Sequence, residues 1–409
     1  MKILSLQEAY RQLKNSTRSN PQVSGKVSWI IRTVRMSGDK ALEGIALTLN
    51  DPRPCEFSLT GRAEEISTDA RLVLEKSAEN IRLFAETTAK AAAPFSIDYR
   101  SHSAGIRWQP VKTAGCYVPG GRFPLASTAL MTVSAAKAAG VETIIVCSPD
   151  CSPEILAACE ISGADRFFHT GGAQAIAAMA FGTETIPKAD VIAGPGNKWV
   201  TEAKRQLQGT VGIDMLAGPS EIAVVVNSES NTEHTVLDLL AQAEHDPDAS
   251  SWCVSLSLSK AEDVCRMLKI TAQKLEIEPG NRINFATVNS IEEAAAFCNR
   301  LAPEHLQLSV KNPEKSQSLF FNYGAIFLGL ETSVPMGDYS AGPNHTLPTG
   351  GTAVFSGGLT PLTFMRAQSY VLNRGSELPL LSAGFAGLEG LRAHALSCTM
   401  RVPRKEAPF

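Results

Sequence analysis

From Gly115 to Leu328 the chain alternates short apolar runs with segments of helical periodicity, and this rhythm constrains its fold more than any other feature. The pattern predicts a helix over Leu125–Ala139, a strand at ETIIVCS, a helix over Ser152–Ile161 and a strand at Arg166–His169. A helix after Gly171-Gly172, a strand over Ala189–Ala193 and a helix after Gly194-Pro-Gly-Asn197 complete a first series. A second series begins at Ile222-Ala-Val-Val-Val226 and runs through helices at Asn231–His245, Lys260–Leu275 and Ser290–Arg300. Its strands are read at Trp252–Leu258, Arg282–Val288, Leu306–Val310 and Gly324–Leu328. Short apolar strands spaced by helices are the signature of βαβ units and a mostly parallel sheet. Before them, residues 1–95 read as helical, with Val27, Ile30, Ile31 and Val34 at helical spacing and a long pattern from Ser67 to about Ala92. The tail ends in a helix around Ala383–Cys398. The expected divisions are therefore a helical segment over 1–95, α/β domains over 96–215 and 216–349, and a small C-terminal segment over 350–409.

Composition narrows the function classes. The 409 residues are 44% hydrophobic and 19% charged, with a formal net charge of −3, which leaves no basic field for nucleic acid or an anionic membrane. No apolar run approaches a membrane span of about 20 residues. The N-terminal MKILSLQEAYRQLKN turns polar after five residues and reads as a helix capped by Ser5, not as a signal peptide. Nine scattered cysteines without a C-x-x-C fit reduced thiols in the cytoplasm better than a disulfide framework or zinc ribbon.

Four segments carry acid–base or metal-type side chains. Gly337–Gly351 holds four glycines and two prolines, which argue against a regular helix or central strand, yet it carries Asp338 and His345. Such residues serve either ordinary turns or a site assembled from distant parts of the chain. On the Asn231–His245 helix, Asp238, Gln242 and His245 fall at i, i+4 and i+7, so they share one face, while Leu237 and Leu240 supply the apolar stripe. That face is either solvated or presents an amide oxygen and an imidazole to a metal, with Asp238 orienting them. Glu304 and His305 follow Pro303 and form either an ordinary element start or a general acid–base pair, which a turn would have to aim. Glu389 and His394 have no local feature that makes them a site.

Gly-rich turns at Gly120-Gly121, Gly171-Gly172 and Gly194–Gly196 each precede a helix and suit a diphosphate or a plain βα connection. None completes G-x-G-x-x-G, because Trp199 stands at the third glycine of the last one. The fold class is thus α/β, with two Rossmann-like but incomplete domains, a helical N-terminal segment and a small C-terminal helical segment.

GCYVPGG, GGAQAIAAMAFGTETI, GPGNKWVTEAKRQ, IDMLAGPSE, DLLAQAEH, APEHLQL and GDYSAGPNHTLPTGG, in this order between Val27 and Arg401, closely resemble the blocks of the histidinol dehydrogenase family. The resemblance implies a zinc- and NAD-dependent, four-electron oxidation of L-histidinol to L-histidine through the aldehyde, the last step of histidine biosynthesis. It implies one Zn²⁺ per subunit on Gln242, His245, Asp338 and His394, with Glu304 and His305 as the catalytic pair. Ser220, His345 and Glu389, together with His305 and the four metal ligands, would meet the substrate, while Tyr117, Gln174 and Asn197 would line the NAD site. It also implies a homodimer in which the C-terminal segment completes the neighbour's site. Leu216 and Ala85 depart from the family's commoner residues, and the N-terminus is shorter than usual, so substrate drift is open. The alternatives are a related dehydrogenase of another primary alcohol, such as sulfopropanediol, or a non-catalytic metal-binding descendant.

Overall fold

In the computed structural model the described residues are 2–13, 21–120, 124–245, 247–277 and 282–402, with the His245 side chain left aside. Two compact units divide them. One joins the chain up to Ala89 with Val111–Phe364, and the other joins Lys90–Pro110 with the chain from Met365 onward.

The elements of the larger unit open with strand β1 (Ile3–Ser5), helices α1 (Leu6–Leu13) and α2 (Pro21–Leu49), strand β2 (Cys55–Phe57) and helix α3 (Thr68–Ala89). Ser5 caps α1 in a reciprocal box. Its hydroxyl oxygen accepts from the Glu8 N–H at 3.4 Å, and the Glu8 carboxylate accepts from the Ser5 N–H at 2.9 Å. Strands β3 (Phe95–Asp98) and β4 (His102–Pro110) belong to the smaller unit.

The first α/β series then runs β5 (Thr113–Tyr117), α4 (Ala126–Ala138), β6 (Thr143–Ser148), α5 (Pro153–Ser162), β7 (Arg166–His169), α6 (Gly172–Phe181), β8 (Val191–Ala193), α7 (Lys198–Leu207) and β9 (Gly212–Ile213). These strands form a sheet of order β2-β7-β6-β5-β8-β9, parallel except for β2. The chain leaves β5 toward β6 and β7, then crosses back to β8 on the other side. A switch point therefore lies between β5 and β8, where an open α/β sheet forms a crevice at the carboxyl ends of its strands. One sheet face is sealed by Val27, Val34 and Leu42 of α2 with Ile176 and Met179 of α6 and Val200 of α7.

The second series comprises β10 (Glu221–Val226), α8 (Thr232–His245), β11 (Ser250–Ser255), α9 (Leu258–Lys274), β12 (Ile283–Thr287), α10 (Ile291–Leu301), β13 (His305–Ser309), β14 (Ala325–Leu328) and the short helix α11 (Val334–Tyr339). Its sheet is wholly parallel, in the order β1-β12-β11-β10-β13-β14, and switches between β10 and β13. Val236, Leu239 and Leu240 of α8 pack with Val264 and Leu268 of α9 on one face, and α1 and α10 cover the other.

The smaller unit adds β15 (Met365–Asn373), α12 (Glu377–Leu388) and α13 (Arg392–Thr399). β15 pairs antiparallel with β4 along nine residues, and β3 closes the far side of β4. Leu381, Phe385, Leu388 and Leu396 are exposed on α12 and α13.

Several local readings change. The helical stretch up to residue 95 also contributes β1 and β2, each three residues long and too short to show a two-residue period. The C-terminal segment holds β15 besides its helices. Most β15 side chains are exposed, so no apolar alternation announces it. Gly337, Asp338 and Tyr339 end α11 instead of opening a loop, because Pro335 in the first turn starts a short helix before the glycine-rich stretch.

Phe285 is fully buried between β12 and the helices α8 and α9. Phe285→Ala is expected to cost about 3–5 kcal/mol, read as a lower denaturant midpoint at unchanged slope.

Candidate active site

The centre of the site is the junction between α10 and β13. Helix α10 stops at Ala302, whose left-handed backbone (φ 48°) turns the chain into Pro303. Glu304 stands just before β13 and His305 is its first residue, opposite Ile222 of β10. Because Glu304 precedes the strand, strict side-chain alternation does not separate the two. His305 Nδ1 lies 3.5 Å from Glu304 Oε2. Glu221 fixes both through its backbone: its N–H donates to Glu304 Oε2 at 2.9 Å, and its carbonyl faces His305 Nδ1 at 3.1 Å. A carbonyl can only accept, so Nδ1 carries a proton and Nε2 is the nitrogen left for chemistry. Nε2 points at Asp338 Oδ1, 3.3 Å away, within ion-pair reach though without hydrogen-bond alignment.

Asp338 comes from α11, which packs against α8. On α8 the buried apolar residues are Val236, Leu239 and Leu240, while Leu237 is 42% exposed, so the apolar stripe sits one position away from the expected one. Asp238 and Gln242 are buried instead, at 6% and 4% exposure, making α8 a helix with a second, polar face turned inward. Asp238 accepts from Gln307 Nε2 at 2.7 Å, and Gln307 also donates to the Thr332 carbonyl at 2.9 Å. Gln242 Nε2 is buried without a hydrogen-bond partner among the described residues. His245 ends α8, and its side chain lies outside the described residues.

The residues after α11 are held from several directions. Asn344 donates to the Met131 carbonyl at 3.0 Å, and His345 Nε2 shares a 3.1 Å hydrogen bond with Thr128 Oγ1, both partners on α4. Thr349 Oγ1 accepts from Gly218 N–H, and Glu221 Oε2 accepts from Gly350 N–H at 3.1 Å. Ser220, half-buried, immediately precedes β10, and its carbonyl accepts from Ser250 N–H at 3.0 Å.

The three residues expected around NAD all follow strands of the first sheet at its carboxyl edge. Tyr117 ends β5, Gln174 lies in the first turn of α6, and Asn197 follows β8. Tyr117 is buried, and its hydroxyl accepts from Gly172 N–H at 3.0 Å. Asn197 Oδ1 caps α7 by accepting from Trp199 and Val200 N–H at 3.0 and 3.3 Å. Glu389 and His394 belong to the smaller unit and are exposed there. Among the described residues no three His, Cys, Asp or Glu side chains gather as a metal cage.

Burial dominates the electrostatics. It raises Glu304 to about 7, with Asp338 and Glu221 adding and His305 opposing. Burial also raises Glu221 to about 7 and Asp238 to about 6. For His305 burial acts downward, but Glu304, Asp338 and the Glu221 carbonyl outweigh it and raise the imidazole to about 9. Glu221, Gln307 and Thr128 had not been singled out from sequence. Gln307 alone left a signal, as the one amide inside the apolar run HLQLS.

The family model described as histidinol dehydrogenase matches residues 13–402. A histidinol dehydrogenase of Methanococcus maripaludis is 42% identical over 85% of this chain and 86% of its own length. One from Thermus thermophilus is 40% identical over 93% of this chain and 95% of its own. The crystal structure of histidinol dehydrogenase from Elizabethkingia anophelis superimposes with a TM-score of 0.90 at 29% identity, covering 98% of this chain and 96% of that one.

Glu221, Glu304 and His305 all titrate above their ordinary values, so the folded, metal-free chain holds more protons than the unfolded one. The His305 contribution is full below its ordinary 6.5 and is lost as pH rises through about 9. The two glutamates weaken folding as they ionise between 4.5 and about 7. Stability of metal-free protein should therefore fall from about pH 5 to about pH 9, and Glu304→Gln should flatten the decline. Denaturant midpoints across that range check this, and an unchanged slope in the variant would contradict it.

Proposed function

The chain belongs to the histidinol dehydrogenase family of oxidoreductases, and on that premise we propose that it oxidises L-histidinol to L-histidine with two NAD⁺ and one zinc ion. The observation that carries the reading is His305, whose Nδ1 is fixed by the Glu221 carbonyl while Nε2 points away from the strand toward Asp338. In each oxidation His305 takes the hydroxyl proton as a hydride leaves the carbinol carbon. Between the two, Glu304 takes a proton from the water that adds to the aldehyde while His305 returns its proton to the former carbonyl oxygen. This gives the hydrate that the second oxidation converts to the acid and leaves His305 neutral for that step. Glu304, raised to about 7, is poised to exchange a proton near neutrality.

The donors fit zinc. Gln242 offers a buried amide oxygen, and because the Nε2 of the same amide has no partner among the described residues, no hydrogen bond from that nitrogen fixes the amide's orientation. Asp338 adds a carboxylate that is 8% exposed. Both are hard or borderline donors of the kind zinc accepts. Gln242 and Asp338 would hold the ion with His245 and His394, and when bound it would orient the substrate's amine and imidazole. Cation engagement of Asp338 would also withdraw one of the carboxylates that raise His305, bringing the base nearer its ordinary value. NAD⁺, bound over Tyr117, Gln174 and Asn197 at the switch point of the first sheet, would accept each hydride. Ser220, His345 and Glu389 would contact the substrate. The exposed leucines and phenylalanine of α12 and α13 support a homodimer in which Glu389 and His394 complete the neighbour's site.

The zinc-loaded protein should form two NADH per L-histidinol consumed, and His305→Ala should slow this by about 10²–10⁴-fold. One NADH per substrate would refute the four-electron reaction. A chelator should abolish NAD⁺ reduction and zinc should restore it in the wild type but not in Asp338→Ala. Full activity after verified metal removal would exclude the zinc assignment.

A further inference from the structure

We propose that Lys204 and Asp214 are positioning residues for the cofactor, a buried ion pair that clamps both backbone groups of Gly194 and so sets the shape of the Gly194–Asn197 turn. The inference rests on the reading that NAD⁺ binds at the carboxyl edge of the first sheet. Gly194 follows β8 with φ +120°, and a Cβ there would collide with the Tyr117 carbonyl, so the turn crosses directly over the end of β5. This is the switch point of the sheet. Beyond the last residue of a strand no ladder partner remains, and two side chains serve Gly194 instead. Its N–H donates to Asp214 Oδ2 at 2.8 Å, and its carbonyl accepts from Lys204 Nζ at 2.6 Å.

The two side chains are also paired with each other, Lys204 Nζ to Asp214 Oδ1 at 2.6 Å, and are 2% and 0% exposed. Lys204 reaches the Met215 carbonyl at 3.5 Å, and Asp214 Oδ1 accepts from Met215 N–H at 2.6 Å. The three ammonium donors are thereby occupied, so Lys204 has none to offer a ligand. Its role is to hold backbone. A buried ion pair is a poor way to gain stability, because desolvation offsets most of the attraction and an apolar pair often packs as well. What this pair adds is direction. It joins α7, the Gly194 turn and the 214–215 segment at fixed distances, and Asn197, two turns before Lys204 on the same face of α7, is aimed by that junction.

The experiment uses full-length, zinc-loaded protein carrying Lys204→Met, and the double variant Lys204→Met/Asp214→Leu, which leaves no uncompensated buried charge. Steady-state kinetics with each substrate varied are combined with NADH binding followed by fluorescence. KM for NAD⁺ and Kd for NADH should rise about tenfold or more in the double variant. KM for L-histidinol and zinc content should stay near wild type, while melting temperature falls modestly because Gly194 N–H and its carbonyl lose their partners. A folded double variant with unchanged KM for NAD⁺ and unchanged NADH affinity overturns the clamp, as does a general loss of zinc and of affinity for both substrates. Wild-type protein that binds NADH but does not reduce NAD⁺ sinks the functional reading instead, and the clamp is then judged by NADH affinity. Wild-type protein that neither reduces NAD⁺ nor binds NADH overturns both.

Discussion

The candidate site depends on one residue's backbone. Glu221, the first residue of β10, gives its N–H to Glu304 and its carbonyl to His305. Both acceptor and donor are buried, and each would be costly without that partner. The contacts hold because β13 lies beside β10 with His305 opposite Ile222. A slip of one residue would turn His305 to the other face of the sheet. Register is in turn set by Val224, Val225 and Val226 of β10 and by Leu306 and Leu308 of β13, all fully buried. The chemistry of the pair is therefore anchored in the apolar packing of a parallel sheet. Short of proline, which would remove the N–H, no substitution at position 221 deletes these backbone contacts directly.

The two sheets present opposite edges to their candidate residues. In the first, Tyr117, Gln174 and Asn197 follow strands and sit at carboxyl ends, as open α/β sheets usually arrange ligand sites. In the second, Glu221, Glu304 and His305 stand at amino ends. The departure has a simple cause. Helix α8 leaves the carboxyl end of β10 and runs back antiparallel to it, so Gln242, late in α8, returns to the amino edge. The stretch from Asn344 to Gly350 is then tied to both series, to Thr128 and Met131 of α4 and to Gly218 and Glu221 before and in β10. It carries little regular structure of its own, and its shape comes from these distant partners.

What was legible in the sequence follows from the same division. The inner strands of the two α/β sheets are largely apolar runs, and most could be placed within a few residues from ETIIVCS or IAVVV alone. β4 and β15 could not, because they bury little and their pairing joins residues more than 250 positions apart. On α8 the spacing of Asp238 and Gln242 did mark one face, but only tertiary packing shows that this polar face is buried. Glu304 and His305 were recognisable as a pair, whereas the residue that aims them was not. Glu221 acts on them through main-chain atoms, and these leave no trace in residue type. Lys204 was equally silent. A lysine on an amphipathic helix is ordinarily solvated, and nothing local distinguishes this one.

Charge balance links the metal to the acid–base pair in the proposed reading. Three carboxyl groups, on Glu221, Glu304 and Asp338, surround one imidazole. Without a cation, burial raises the first two carboxyls, and Asp338, together with Glu304 to the extent that it is ionised, raises His305. A divalent ion at Asp338 and Gln242 would supply the missing positive charge from outside the protein's own side chains. It would compete with protons on these groups, so binding would release them and would weaken as pH falls. The same exchange would free His305 to act as a base at a pH where the metal-free site keeps it charged. Metal affinity and the protonation state of the base would then be two readings of one electrostatic balance, set by the depth at which the sheet edge buries its acids.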